Sequence, residues 1–178
     1  RKTSLQFIQQ EMNNITALSN ETCQLGIQSR NMVLYIAKKD SPQPIRLMSS
    51  VGKQLPLYCT GLGRALLAYK SEEEIRSLFP EVLTAYTPHT IATINDLLKE
   101  LELTRQRGYA VEHEETNLMV NCIAVSLDYN NAPIAALSIS IPTFRISESK
   151  EKEAVQILWE AKQRIETHFK MYGVDFGN

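Results

Sequence analysis

The sequence predicts an α+β domain built on a largely antiparallel six-stranded sheet with flanking helices. Three observations carry that prediction. Six short segments alternate apolar and polar residues or run as compact apolar stretches; most follow one another across turn-length gaps; and helical periodicity occupies both ends and the middle of the chain. With 178 residues, 43% of them hydrophobic, the chain is long enough to bury one core of its own. A single domain over residues 1–178 is therefore expected.

The elements follow in order. Leu5, Ile8, Met12, Ile15 and Leu18 recur at three- and four-residue intervals and predict a helix over residues 3–18. Cys23, Leu25 and Ile27 then alternate with polar residues, and Ser29-Arg30-Asn31 turns the chain into a second strand over 32–36. Two prolines at 42 and 44 break the pattern, and Ile45-Arg46-Leu47-Met48 is expected as a short third strand, followed by a loop over 49–60. Thr60 stands in cap position for a helix carrying Ala65, Leu66 and Leu67. Ser71 to Glu74 and Thr93 to Asp96 resemble capping boxes, and the second helix is expected to end at Arg107-Gly108. Tyr109 to Glu114 alternates as a strand, 122–127 and 134–141 form a hairpin, and a long helix starts near 148.

Composition narrows the function. Nineteen Lys and Arg against twenty Asp and Glu leave a net charge of −1, which gives no global cationic field for gripping nucleic-acid phosphates. No apolar run approaches the roughly 18 residues of a membrane span, and Arg1-Lys2-Thr3 lacks the apolar stretch of a secretory signal, so a cytoplasmic protein without a membrane partner is expected. Three cysteines without C-x-x-C spacing and three scattered histidines supply no metal set, and no cofactor motif occurs.

Candidate chemistry gathers at four places. Along 136–141, Ala136, Ser138 and Ser140 share one face and Leu137, Ile139 and Ile141 the other. The small hydroxyl-bearing face either meets water or leaves room for a ligand. Glu112, in an otherwise apolar strand, can accept two hydrogen bonds from a small polyol, whereas Glu114 and Glu115 are expected at the rim in water. Gly61, Leu62 and Gly63 open a helix whose unpaired amides favour an anion; the same glycines serve equally for close packing. Cys122 with His113 is a conceivable nucleophile and base, although a free cysteine is more often an inert core thiol.

LPLYCTGLGRALLAY (55–69), RQRGYAVEHEE (105–115), CIAVSL (122–127) and AALSISIPTFRIS (135–147) together are similar to the effector-binding C-terminal domain of IclR-type bacterial transcription regulators, over nearly the whole chain. The PTFR segment, Pro142 to Arg145, resembles the branch that represses sugar-acid catabolic genes. The resemblance implies a profilin- or GAF-like domain that binds a small carboxylate or sugar-acid effector. It also implies a winged helix-turn-helix module preceding residue 1, through which operator DNA is bound, and assembly as a homodimer or homotetramer. By alignment the family's ligand contacts fall on Gly61, Glu112, Cys122, Ser138 and Ser140, beside Leu62 and Val120. Leu47, Met48 and Val120 would supply the apolar wall, and the Gly61 to Gly63 amides would take the carboxylate. The chain departs from the pattern where Met119-Val120-Asn121 replaces a usual Gly-(Leu or Met)-Arg, where Gly61 replaces alanine and where Glu112 replaces aspartate. Two other readings remain open on the residues: a cysteine-dependent enzyme using Cys122 and His113, and a GAF-like dimerisation module without a ligand.

Overall fold

A computed structural model describes residues 1–47 and 50–176. It contains α1 (Ser4–Ser19), β1 (Thr22–Ser29), β2 (Met32–Lys39), β3 (Gln54–Pro56), α2 (Gly61–Leu67), α3 (Glu72–Leu78), α4 (Ile94–Arg107), β4 (Ala110–His113), β5 (Val120–Tyr129), β6 (Ala132–Pro142) and α5 (Glu148–Tyr172). The six strands form one sheet in the order β3-β2-β1-β6-β5-β4, and every neighbouring pair is antiparallel.

The expected signals work locally. Thr3 and Gln6 close a reciprocal cap on α1, and Ser71 and Glu74 do the same on α3. At Thr93 the described bond runs one way, from the Asp96 amide to the threonine hydroxyl, because the aspartate is one methylene shorter than the glutamate at Glu74. Gly108 ends α4 at φ +83°, the left-handed conformation a C-terminal glycine supplies.

Two expectations are corrected. Ile45 to Leu47 is not a strand, and Met48 lies outside the described residues. The edge strand β3 falls instead at Gln54–Pro56, inside the segment expected to be loop, where Val33 faces Leu55 across the ladder. Two prolines at 42 and 44 send the chain away from the sheet, and it rejoins only after the turn at Gly52.

Side-chain alternation sorts the sheet into two faces. Leu25, Ile123, Leu137, Ile139 and Ile141 pack with Ile8 and Met12 of α1 and with Leu158, Ile165 and Phe169 of α5. The opposite face is floored by Ala110, Ala124 and Ala136, against which Leu62 and Leu66 of α2 and Leu97 and Leu101 of α4 are packed. Alanines there admit a helix at close range. The glycines of α2 complete the fit: a side-chain carbon on Gly63 would lie 2.0 Å from the Leu57 carbonyl oxygen, and one on Gly61 3.1 Å from Cys122 Cβ. Close packing thus accounts for Gly63, whereas at Gly61 a neighbour would need to give by only a few tenths of an ångström.

The PTFR segment ties down the chain entry to β1. Arg145 donates from Nε and Nη2 to the buried Glu21 carboxylate, both at 2.9 Å, and Lys150 approaches it at 3.3 Å.

Candidate functional site

Helix α2 covers only part of its sheet face. Past its N-terminus the cross-strand pairs Glu112 with Cys122, Cys122 with Ser140, and Gln24 with Ser138 continue the same face, with Gly61 of α2 against Cys122 Cβ. A cavity of about 100 Å³ opens there. Gln24, Cys122 and Ser140 form its floor, Glu112 stands at one side, and Tyr35, Leu47, Leu55 and Val120 give apolar walls. Lys53, Thr60, Thr116 and Asn117 complete the lining. The volume equals roughly three waters at about 30 Å³ each, a compact space for a few heavy atoms. A larger hollow of about 480 Å³ runs along α5 between Phe7, His168 and Tyr172, but it gathers no comparable set of buried polar groups.

The floor is a connected network. Ser138 Oγ and Ser140 Oγ both donate to Gln24 Oε1, at 2.8 and 2.7 Å, and Cys122 Sγ lies 3.1 Å from Ser140 Oγ. Both serines are buried rather than facing water. Their placement differs: Ser140 lines the cavity, whereas Ser138 lies behind the Gln24 amide. Val120 is on the wall, Gly61 sits behind Cys122, and Leu62 belongs to the core under α2. The Gly63 amide, expected to await an anion, donates to Thr60 Oγ1 at 3.0 Å.

Glu112 is buried at 1% exposure and accepts the Glu115 amide at 2.8 Å. Burial pushes its carboxyl up to about 7, partly offset by that backbone bond. Burial also drives the Cys122 thiol upward, with the Glu112 charge adding to the effect, so the thiolate is disfavoured. His113 points away from it. Glu112 and Cys122 face each other across the ladder on one side of the sheet, while His113 pairs with Asn121 on the other, His113 Nδ1 lying 3.2 Å from Asn121 Oδ1. The nucleophile and base of the enzyme reading are therefore not brought together.

Glu115 departs from expectation. Instead of standing in water it is buried and takes both Nη atoms of the buried Arg64 of α2. Arg64 also donates to the carbonyls of Tyr58 at 3.1 Å and Val111 at 2.8 Å, while the Ile91 amide reaches Glu115 Oε1 at 3.0 Å. An acid in so dense a set of donors is held by them, which the sequence spacing of 51 residues concealed.

Residues 5–167 match the family model described as bacterial transcriptional regulator IclR C-terminal. The chain belongs to the IclR family. Among curated IclR-type relatives it is 38% identical over 157 residues to the HTH-type transcriptional regulator KdgR of Dickeya chrysanthemi, covering 87% of this chain and 52% of that protein. It is 33% identical over 158 residues to the HTH-type transcriptional repressor AllR of Escherichia coli K12, covering 88% and 58%. The chain thus spans little more than half the length of these relatives. The solved structure of the C-terminal domain of the E. coli transcriptional regulator KdgR superposes with a TM-score of 0.83 at 32% identity, covering 92% of this chain and 96% of that one. Six antiparallel strands with helices on both faces are the IclR C-terminal architecture that the motifs implied.

The reading from sequence missed Gln24, Tyr35 and Lys53 as cavity residues. Only Lys53 had a local signal: a Gly turn followed by Gln54-Leu55-Pro56 is compatible with an inward-turning edge.

Proposed function

We propose that this domain senses a small carboxylic or sugar-derived acid in the cavity beside α2. It relays occupancy to a winged helix-turn-helix module of the same protein, and through that module to operator DNA. The observation that carries the reading is the buried polar row Gln24, Ser140, Cys122 and Glu112, left open to a cavity by the short α2. Buried polar groups cost free energy unless they find partners, and a row of them against an empty space offers donors and acceptors to a hydroxylated guest. The relatives' names, HTH-type transcriptional regulator and HTH-type transcriptional repressor, support the DNA-directed part; the target assigned on this reading is a carbohydrate catabolic operon, which the whole protein represses. On this reading the domain acts by binding, not catalysis, in the cytoplasm, and as a homodimer or homotetramer.

A ligand shifts such a protein only if it binds one arrangement of subunits better than another. Coupling of about 1–3 kcal/mol changes operator occupancy roughly 5- to 150-fold. The test is a thermal-shift screen of small organic acids followed by calorimetry on Ser140→Ala. A bound acid should raise the melting temperature by mass action, and the variant should bind it at least about fivefold more weakly. An acid bound equally well by both proteins dismisses the cavity as the site.

A further inference from the structure

Lys53 is an unusual member of the cavity lining. Its backbone is tied to β2, with the Tyr35 amide donating to the Lys53 carbonyl at 3.1 Å and the Gly52 amide donating to the Tyr35 carbonyl at 2.8 Å. Gly52, at φ +93°, makes the turn that brings it there. The side chain lies over the Tyr35 ring with Nζ 4.5 Å from the centroid, and it is half-buried. Other lysines near the sheet are neutralised by carboxylates: Lys38 by Asp40, Lys150 by Glu21, Lys162 by Asp128 and Glu166. Among the described residues no ion pair neutralises Lys53. An aromatic face attracts the charge but leaves the ammonium's hydrogen-bond donors unused. The opposite end of the cavity is different. Thr60 donates to the Pro56 carbonyl at 2.9 Å and accepts the Gly63 amide, which engages one amide of the first turn and leaves those of Gly61 and Leu62, among the described bonds, for an anion.

We propose that Lys53 is the anion-pairing residue of the cavity, taking the effector's carboxylate while Ser140, Cys122 and Glu112 take its hydroxyl or carbonyl groups. This rests on the sensing reading above and adds a side-chain cation to the α2 amides as a partner for the carboxylate. It names the effector class as a compact monoanion with at least one hydroxyl or oxo group beside its carboxylate. The lysine supplies the discrimination against uncharged analogues, because the same molecule without its charge gains nothing from a half-desolvated ammonium.

Calorimetry with glycolate, glycerate and 2-oxobutanoate, each beside its uncharged amide, tests the assignment on the wild type, Lys53→Met, Lys53→Gln and Lys53→Arg. Whichever acid the wild type binds should lose roughly tenfold or more in affinity in the Met and Gln variants and recover most of it in the Arg variant. Binding of the matching amide should change by less than about twofold. Melting curves of the unliganded variants establish that each is folded. Equal loss for acid and amide, or an acid unaffected by the substitution, overturns the role of Lys53 while leaving the sensor intact. If the wild type binds none of the acids, the sensing of small carboxylates fails, and this assignment fails with it.

Discussion

Glu112 sets how stability responds to acidity. Its carboxyl ionises near 7 in the folded chain against about 4.5 for an exposed glutamate, because burial disfavours the charge. The folded state therefore holds the proton more tightly than the unfolded state. This group's favourable contribution is complete below pH 4.5 and is lost as pH rises through about 7. Glu112→Gln keeps an oxygen for the Glu115 amide and removes the titration. Denaturant unfolding should show the wild type losing on the order of 1–3 kcal/mol between pH 4.5 and 7.5 relative to the variant. Parallel pH profiles for the two proteins would refute the assignment of a raised ionisation to this residue. Single residues were unevenly legible. Period-two alternation found Ser140, Cys122 and Glu112, since a strand's faces are written locally. Gln24 is separated from Ser138 by 114 positions, so nothing near it announced that its polar face would turn inward. Met119, where the resemblance implies glycine, adopts φ +73°, a left-handed conformation that a side chain disfavours. Asn121, where the resemblance implies arginine, donates to the Ile141 carbonyl at 3.2 Å and the Thr143 hydroxyl at 2.9 Å.

Among the elements, α2 is held in place less by its length than by one clamp. Seven residues make barely two turns, too few for a helix to persist alone. Arg64 fastens it to Glu115 beyond β4, and Glu115 in turn holds the segment around Ile91. Arg64→Met leaves a buried carboxylate without its partner and should cost about 3–5 kcal/mol in chemical unfolding, whereas Arg64→Met with Glu115→Leu should recover most of that loss. A double variant no more stable than the single one would show that the clamp's value lies elsewhere. Helices and hairpins were readable because caps, glycine stops and alternation are all local signals. The edge strand was not. Three residues ending in proline carry almost no periodicity, and the Ile45 to Leu47 run imitates a strand that the nearby prolines deny to the sheet.

At the scale of the whole molecule, the sheet separates a face of large aliphatic side chains under α1 and α5 from a face of alanines under α2 and α4 that continues into Ser140 and Glu112 at the cavity. The first holds the fold, and the second holds the cavity. The β1–β2 and β5–β6 hairpins each join strands that are neighbours in the chain, but the middle joint, β1 to β6, pairs Thr22 with Ser140 and Gln24 with Ser138. Bringing together residues so distant along a polypeptide carries a closure entropy that neighbouring strands escape. Closing that seam is accordingly expected late in folding, a timing that substitutions across it would read in the folding rate, and the Gln24 to Ser140 bond lies directly across it. A metabolite resting on both sides would act as a rivet between the two halves of the chain, so occupancy should slow amide hydrogen exchange across this joint.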